Sequence, residues 1–123
     1  AMLYERGCHG IWSESDVIDE KEDLYKLMEI LGIIREGYDI SVNKSQKEII
    51  KAEYPEAESD GFWYPYFTVG DNVKKGELLG VVKSMDGIAV QLVRAKFDAI
   101  ILYYTLSLGV RKNDTLMAYG REI

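Results

Sequence analysis

The second half of this 123-residue chain contains an internal repeat, and that repeat limits the folds open to it. Residues 66–79 align without a gap to residues 103–116, an offset of 37 residues from Tyr66 to Tyr103. Tyr, Thr, Val, Lys and Leu recur identically, and conservative pairs such as Lys with Arg and Glu with Asp fill other positions. Two copies are too few for a solenoid. The repeat therefore predicts one domain made of two similar halves.

Each copy carries the same corner pattern, V-[KR]-K-[GN]-[DE], which predicts a turn that leads into a strand. Gly76 and Asn113 occupy the position that suits a left-handed backbone, because Gly and Asn adopt that conformation most readily. We expect Val73 and Val110, one in each copy, to point inward as matched core residues.

From residue 38 onward, short runs rich in β-branched and aromatic residues predict a compact all-β domain. The predicted strands cover residues 39–42, 48–54, 62–67, 78–82, 88–93, 99–104 and 116–119. Asp86-Gly87 lies between two runs and predicts a type I′ hairpin, in which both central residues have positive φ. In the aromatic run 62–67, we expect alternate rings to enter the core and the others to meet another domain or a second subunit.

Before residue 38 the pattern is helical. The apolar residues 2–4 predict the end of a strand, and residues 13–16 offer N-cap oxygens for a helix. Five apolar residues fall on one helical face, which we expect to pack in a core: Leu24, Leu27, Met28, Leu31 and Ile34. Gly32 is a predicted helix terminator. We place a domain boundary near Gly37, which gives regions 1–37 and 38–123.

Charge and composition exclude several classes of function. The net charge is −6; residues 1–60 hold 15 acidic and 7 basic side chains, and residues 61–123 hold 6 and 8. An acidic first half repels phosphate backbones, so we expect no nucleic-acid partner. No apolar run approaches the roughly 20 residues of a membrane span, and no signal peptide opens the chain. With the single Cys8, these features predict a cytoplasmic protein without a membrane partner.

The first corner resembles the turn of the lipoyl/biotinyl-like barrel. Residues 70–80 match that fold's G-D-x-V-x-x-G-x-x-L pattern, and the second copy departs from it at residues 107–109 and at Asn113. The resemblance implies a mainly β, quasi-symmetric barrel. The same fold also serves as a carrier domain with a modified lysine at a hairpin tip. Here Asp86 takes the lysine position next to Met85, and Lys83 lies further back, so a carrier is the disfavoured alternative.

The chain as a whole resembles the C-terminal part of the succinylglutamate desuccinylase/aspartoacylase family, relatives of the zinc carboxypeptidases. Those proteins have an α/β catalytic domain followed by a lipoyl-like barrel. Glu5-Arg6-Gly7 matches the family's E-x-G motif, residues 10–14 match its Gly/Trp loop, and residues 59–120 match its barrel. The resemblance implies a deacylase that hydrolyses the amide bond of N-acyl amino acids or similar small amides. It assigns Glu5 as general base and later proton donor to the leaving amine, and Arg6 as a residue that holds a substrate carboxylate.

The family's zinc ligands are an H-x-x-E motif and a later histidine, all upstream of the catalytic glutamate. His9 is the only histidine of this chain, so the resemblance implies zinc in the full-length protein with no ligand here. It also implies an N-terminal catalytic domain as partner, a homo-oligomer, and no activity of this chain alone. Cys8-His9 is a disfavoured nucleophile–base pair, because neighbours on an extended chain point to opposite faces. A non-catalytic β-barrel module for binding or assembly stays open as the alternative.

Overall fold

The computed structural model describes residues 4–7, 10–41 and 44–123. The chain divides into two compact units, Ala1–Ser45 and Gln46–Ile123. The boundary expected near Gly37 therefore lies within the first unit. Residues 2 and 3 of the predicted strand end, and the Cys8-His9 pair, lie outside the described residues.

The first unit contains helix α1, Glu14–Ile30, and its ends agree with the sequence prediction. The Ser13 hydroxyl accepts the Asp16 N–H (3.1 Å), and the Asp16 carboxylate accepts the Ser13 N–H (2.8 Å), which completes a capping box. At the other end Gly32 has φ +72° and donates to the Glu29 carbonyl, while Ile33 donates to the Met28 carbonyl. This is a Schellman motif, and Gly32 ends the helix because a residue without a Cβ adopts the left-handed conformation at little cost.

The expectation that the apolar face of α1 packs in a core is wrong, because no residue of the helix is buried. Leu24 is 48% exposed and Leu31 is 64% exposed. Polar contacts order the segment that follows the helix. The Glu29 carboxylate accepts the backbone N–H groups of Gly37 and Tyr38 at 3.1 and 2.8 Å, and the Tyr38 ring stacks on Tyr25 with centroids 5.7 Å apart.

The second unit is mainly β, as the sequence predicts, with eight described strands. They are β1 Ile49–Glu53, β2 Gly61–Pro65, β3 Asn72–Val73, β4 Leu78–Lys83, β5 Ala89–Arg94, β6 Ala99–Tyr104, β7 Gly109–Val110 and β8 Met117–Glu122. They form two antiparallel sheets of four strands, in the orders β1-β8-β6-β3 and β5-β4-β2-β7. The strands in this part of the chain thus form two sheets, and a closed barrel is not confirmed.

The two sheets repeat each other in topology. The repeat relates β3 to β7, β4 to β8 and β2 to β6. If each strand is replaced by its counterpart and β1 takes the place of β5, the strand order of one sheet becomes the strand order of the other. Register shifts occur where β1 pairs with β8 and where β4 pairs with β5. The two halves predicted from the internal repeat are therefore equivalent in topology, but they exchange their short strands: β3 pairs in the sheet of β6 and β8, and β7 pairs in the sheet of β2 and β4.

The two corners are held by the same set of hydrogen bonds. Each corner has a backbone N–H donating to the acid three residues later, a second N–H donating to a distant aspartate, and a third donating to a distant carbonyl. The first-corner bonds are Lys74 to Glu77 (2.7 Å), Lys75 to Asp98 (2.8 Å) and Gly76 to Ala95 (2.7 Å); the second-corner bonds are Arg111 to Asp114, Lys112 to Asp60 and Asn113 to Ala57 (each 2.8 Å).

The predicted backbone conformations and core positions of the corners are confirmed. Gly76 has φ +86° and Asn113 has φ +72°, so both occupy the left-handed region. Val73 and Val110 are buried. Asn113 is the only described non-glycine residue with positive φ, which explains why Asn can stand where the first corner has Gly.

The core of the second unit lies between its two sheets. Its largest fully buried side chains are Trp63, Tyr119, Leu79, Ile101, Leu116, Met117, Val73 and Val82. Trp63 approaches β4 closely at Gly80, where an added Cβ would lie 2.4 Å from the indole Cη2. In the aromatic run Trp63 is buried, while Tyr64 and Tyr66 are exposed, as the alternation predicts. What those exposed rings meet stays a prediction.

Two local predictions are wrong. Residues 39–41 form no strand; the Ser41 N–H instead donates to the Asp39 carboxylate (2.9 Å), a local turn contact that competes with strand pairing. The β4–β5 hairpin is not type I′, because Gly87 (φ +79°) has positive φ and Asp86 does not. Gly87 donates to the Ser84 carbonyl and Ser84 to the Ile88 carbonyl, which gives a three-residue loop that ends in a left-handed glycine.

One feature falls outside the sequence predictions. The two-residue strands β3 and β7 are too short to give a period-two pattern. No helix in the described ranges has the length and apolar character that a membrane crossing requires.

Candidate functional site

The segment of residues 4–7 is tied to α1 by four side chains. Arg6 donates from Nη1 to Asp19 Oδ2 (3.1 Å), from Nη2 to Asp23 Oδ2 (2.6 Å) and from Nε to the Tyr4 hydroxyl (3.1 Å). The Tyr4 hydroxyl in turn donates to Asp23 Oδ2. Asp19 and Asp23 are four residues apart on α1, so both carboxylates lie on one helical face. We call Tyr4, Arg6, Asp19 and Asp23 the arginine clamp.

The protonation states of the clamp reinforce one another. Hydrogen bonds from Tyr4 and Arg6 hold the pKa of Asp23 below its ordinary value of 3.8. The bond to Asp23 raises the pKa of the Tyr4 hydroxyl and also raises the pKa of the Arg6 guanidinium. Near neutral pH the clamp therefore consists of an anionic Asp23, a neutral Tyr4 and a cationic Arg6.

Glu5 lies between two clamp residues but does not join the clamp. It is exposed, and its carboxylate has no hydrogen bond or ion pair to the described residues. Tyr4 and Arg6 both bond to Asp23, so the chain is tied to α1 on both sides of Glu5.

Gly7 turns the chain directly after this segment. Its φ is +86°, and a Cβ at this position would lie 3.0 Å from the Ile11 carbonyl oxygen. A side chain would be strained here both by the backbone conformation and by the close approach. This gives a physical reason for the glycine two residues after Glu5.

The geometry argues against the role predicted for Arg6. Its guanidinium already contacts two carboxylates and a hydroxyl, so it cannot present its fork to a substrate carboxylate without breaking them. Sequence reasoning did not identify Tyr4, Asp19 or Asp23 as partners. The four-residue spacing of the two aspartates was the available signal, since it places two anions where one cation can bridge them.

A small cavity of about 210 Å³ lies beside the clamp in the first unit. Its lining residues are Tyr4, Asp23, Leu24, Lys26, Leu27 and Ile30. The apolar side chains of α1 form most of this surface, so the cavity suits an apolar group and offers little for chemistry.

The described residues do not fit a catalytic zinc site. Within these ranges, no group of three His, Cys, Asp or Glu side chains is placed to hold a metal ion. A catalytic zinc site uses three protein ligands, and His9, the single histidine of the sequence, lies outside the described residues.

The second unit has an open groove of about 480 Å³ between the first corner and β8. Lys74, Lys75, Asp98 and Arg121 line it. The Lys75 N–H and the Lys74 ammonium group hold the pKa of Asp98 below its ordinary range. Asp60 makes the matching bond in the other half. The charged groups of the groove thus have a role in building the corner, and they do not by themselves indicate a ligand.

The hairpin tip lacks the chemistry of a carrier domain. Residues 84–88 contain no lysine, and Met85 and Asp86 occupy its exposed end. Lys83 is the last residue of β4, and its ammonium nitrogen lies over the Tyr64 ring, 4.9 Å from the centroid. The amine is therefore drawn onto the sheet and is not presented at the apex.

Comparison with known proteins gives matches among solved structures only; no family model and no curated protein sequence matches. A succinylglutamate desuccinylase/aspartoacylase from Rhodobacter sphaeroides gives a TM-score of 0.68 at 18% identity, over 93% of this chain and 38% of that one. A succinylglutamate desuccinylase from Silicibacter sp. TM1040 gives 0.67 at 17%, over 93% and 35%. The apo ectoine utilization protein EutE (DoeB) from Ruegeria pomeroyi gives 0.64 at 19%, over 90% and 36%.

These matches establish the fold. The chain spans about a third of the length of the structures it matches, and its fold is that of their C-terminal part.

Proposed function

We propose that this chain is the C-terminal part of a deacylase of the succinylglutamate desuccinylase/aspartoacylase family, which hydrolyses N-acyl amino acids or similar small amides. The observation that carries the proposal is the extent of the structural likeness. It covers 93% of the chain, whereas a shared β domain alone would be confined to Gln46–Ile123. The segment that holds Glu5 and the helix that follows it are therefore supported as parts of the same architecture.

In this proposal Glu5 performs the proton transfers of amide hydrolysis. Its exposed carboxylate accepts a proton from the attacking water and then delivers it to the leaving amine nitrogen. The zinc ion expected for this chemistry has no ligand set in this chain, so the proposal assigns its ligands and most of the substrate pocket to an N-terminal catalytic domain of the complete protein.

The second unit, in this proposal, is a lipoyl/biotinyl-like barrel. Its twin corners and matching strand orders support that assignment. It would contribute to a homo-oligomer through exposed rings such as Tyr64 and Tyr66. A cytoplasmic location stays a prediction.

The test uses the complete protein with its N-terminal catalytic domain. We expect Glu5→Gln to lower kcat by a factor of about 10² to 10⁴, because the variant cannot accept the proton. Zinc content, measured by elemental analysis, is expected to stay unchanged. Glu36→Gln, an exposed glutamate of the same unit, is the matched control and is expected to keep full activity. Near wild-type turnover in Glu5→Gln would contradict the assignment, as would release of carboxylic acid by the 123-residue chain alone.

An assembly module without catalysis is the alternative. The exposed apolar face of α1 fits a surface that meets another protein, and it fits contact with an N-terminal catalytic domain equally well. The coding sequence upstream of this chain separates the two functions. An H-x-x-E motif with a later histidine supports the deacylase, and the absence of both supports the assembly module.

A further inference from the structure

The arginine clamp fixes the chain on both sides of Glu5. Tyr4 precedes Glu5 and Arg6 follows it, and both side chains bond to the same atom, Asp23 Oδ2. Arg6 adds a second connection to Asp19, one helical turn earlier. A single residue between two such anchors has little freedom to change its backbone direction. The backbone at Glu5 is therefore held by contacts that its own side chain does not make.

The charges around Arg6 do not favour an incoming carboxylate. Two aspartates face the guanidinium, so its positive charge is already balanced. The neighbouring Lys26 bonds to Glu22 at 2.8 Å and lies 3.9 Å from Asp23, so it is engaged by acids as well. A substrate anion near Arg6 would meet these carboxylates at close range and be repelled. The surroundings suit an internal anchor better than an anion-binding site.

We propose that Arg6 is a positioning residue, which with Tyr4 holds the backbone on both sides of Glu5 against α1 and so sets the place from which the Glu5 carboxylate acts. This rests on the proposed function for the role of Glu5, whereas the clamp itself is a property of this chain. The side chains of Arg6 and Asp23 are each about one-third exposed. The clamp thus acts on local order more than on overall stability, since exposed ion pairs contribute little to the latter.

The first test measures backbone order in the 123-residue chain by NMR relaxation of the Glu5 and Gly7 amides. Arg6→Gln and Asp23→Asn are each expected to lower the order parameters of these two amides from the rigid range of about 0.85 towards the flexible range below about 0.6. The double variant is expected to be no more mobile than the more mobile single variant, because either change opens the same clamp. Arg35→Gln, which replaces an exposed arginine of the same unit, is the control. Unchanged order parameters in both single variants would overturn the proposal.

The second test uses steady-state kinetics of the complete protein. If Arg6 positions Glu5, Arg6→Gln and Asp23→Asn each lower kcat about tenfold or more, because a misplaced base loses rate, and leave KM within about twofold. If Arg6 binds substrate instead, Arg6→Gln raises KM, and Asp23→Asn, which releases the guanidinium, does not lower kcat. That second pattern would overturn the positioning role.

The two proposals fail in distinguishable ways. Full activity of Glu5→Gln removes the proposed function and the catalytic purpose of the clamp, while the NMR order parameters still report whether the clamp forms. An inactive Glu5→Gln combined with a purely KM effect of Arg6→Gln removes the positioning role alone.

Discussion

The two units of this chain are ordered by different forces. Among the described residues, every buried apolar side chain belongs to the second unit, and none belongs to the first. The second unit is held by strand ladders around a closed core, whereas the first is held by a capping box, a Schellman motif and the arginine clamp. The second unit thus has a buried core of its own, while the described part of the first unit has helix caps and side-chain contacts but no buried core.

Magnitudes explain why this difference matters. Complete burial of a Leu, Val or Phe side chain stabilises a fold by about 1.5–3 kcal/mol. A helix cap contributes about 1 kcal/mol. The first unit therefore depends on several small contributions to its folding free energy. The second unit gains enough from its buried core to stay folded after a single local change. Four experiments can break or sharpen this comparison.

Separation of the units has the largest expected effect. We expect residues 46–123 alone to keep their β-sheet circular dichroism and a cooperative thermal transition. Residues 1–45 alone are expected to lose most of their helix, because isolated helices of about 15 residues are marginal in water. A stable helix in the shorter piece, with no folding of the longer one, would reverse the comparison.

Truncation of a core side chain has the next largest expected effect. Leu116→Ala removes a completely buried side chain and is expected to destabilise the second unit by about 2–5 kcal/mol. Leu24→Ala, in the half-exposed helical face, is expected to change the free energy of unfolding of the second unit by less than about 0.5 kcal/mol. Urea unfolding followed by the fluorescence of buried Trp63, with exposed Trp12 replaced by Phe, measures both. Equal effects of the two variants would show that the units are not independent.

Gly80→Ala tests how closely the core of the second unit is packed. The new Cβ would lie 2.4 Å from Trp63 and 2.6 Å from the Tyr64 carbonyl oxygen, and relief of this overlap is expected to cost about 1–3 kcal/mol. Gly109→Ala is the control, because nothing lies within 4 Å of its Cβ position. If the two variants unfold at the same urea concentration, the close contact at Gly80 does not limit stability.

Acid is expected to affect the first unit before the core of the second. The pKa values of Asp16 and Asp23 are lowered by their hydrogen bonds, so their contribution to stability is present above the ordinary value of 3.8 and is lost as pH falls through the lower folded values. In the second unit Asp98, whose pKa is also lowered, loses its contribution in the same pH range, but burial of that unit's apolar core does not depend on pH. Helical circular dichroism should therefore fall below pH 3.8 while Trp63 stays buried, and Asp23→Asn should weaken this pH dependence. A simultaneous loss of both signals would contradict the prediction.

The sequence was sufficient wherever a local rule decides the structure. Ser13 and Gly32 bound the helix because a cap oxygen and a left-handed glycine act within a few residues. Gly76, Asn113 and the two corner valines behave as predicted because the internal repeat supplies a second copy against which each position can be compared.

The sequence was insufficient where partners lie far apart along the chain. Asp98 and Asp60 accept hydrogen bonds from corner residues that lie 23 and 52 residues away in the sequence. Arg6 donates to aspartates that lie 13 and 17 residues later. Asp86-Gly87 shows a further limit, since the same two residues fit either a two-residue or a three-residue hairpin loop. The apolar face of α1 has the period of a core helix, but periodicity does not reveal whether a covering surface exists.

The order of the strands also bears on self-association. Each sheet ends on one side in a two-residue strand, β3 or β7, which is too short to template another chain, and on the other side in a strand whose pairing contains a register shift. Irregular and very short borders discourage the stacking of copies into continuous fibrils. Copies that associate are therefore steered away from edge-to-edge pairing of their sheets and towards contact through other surfaces.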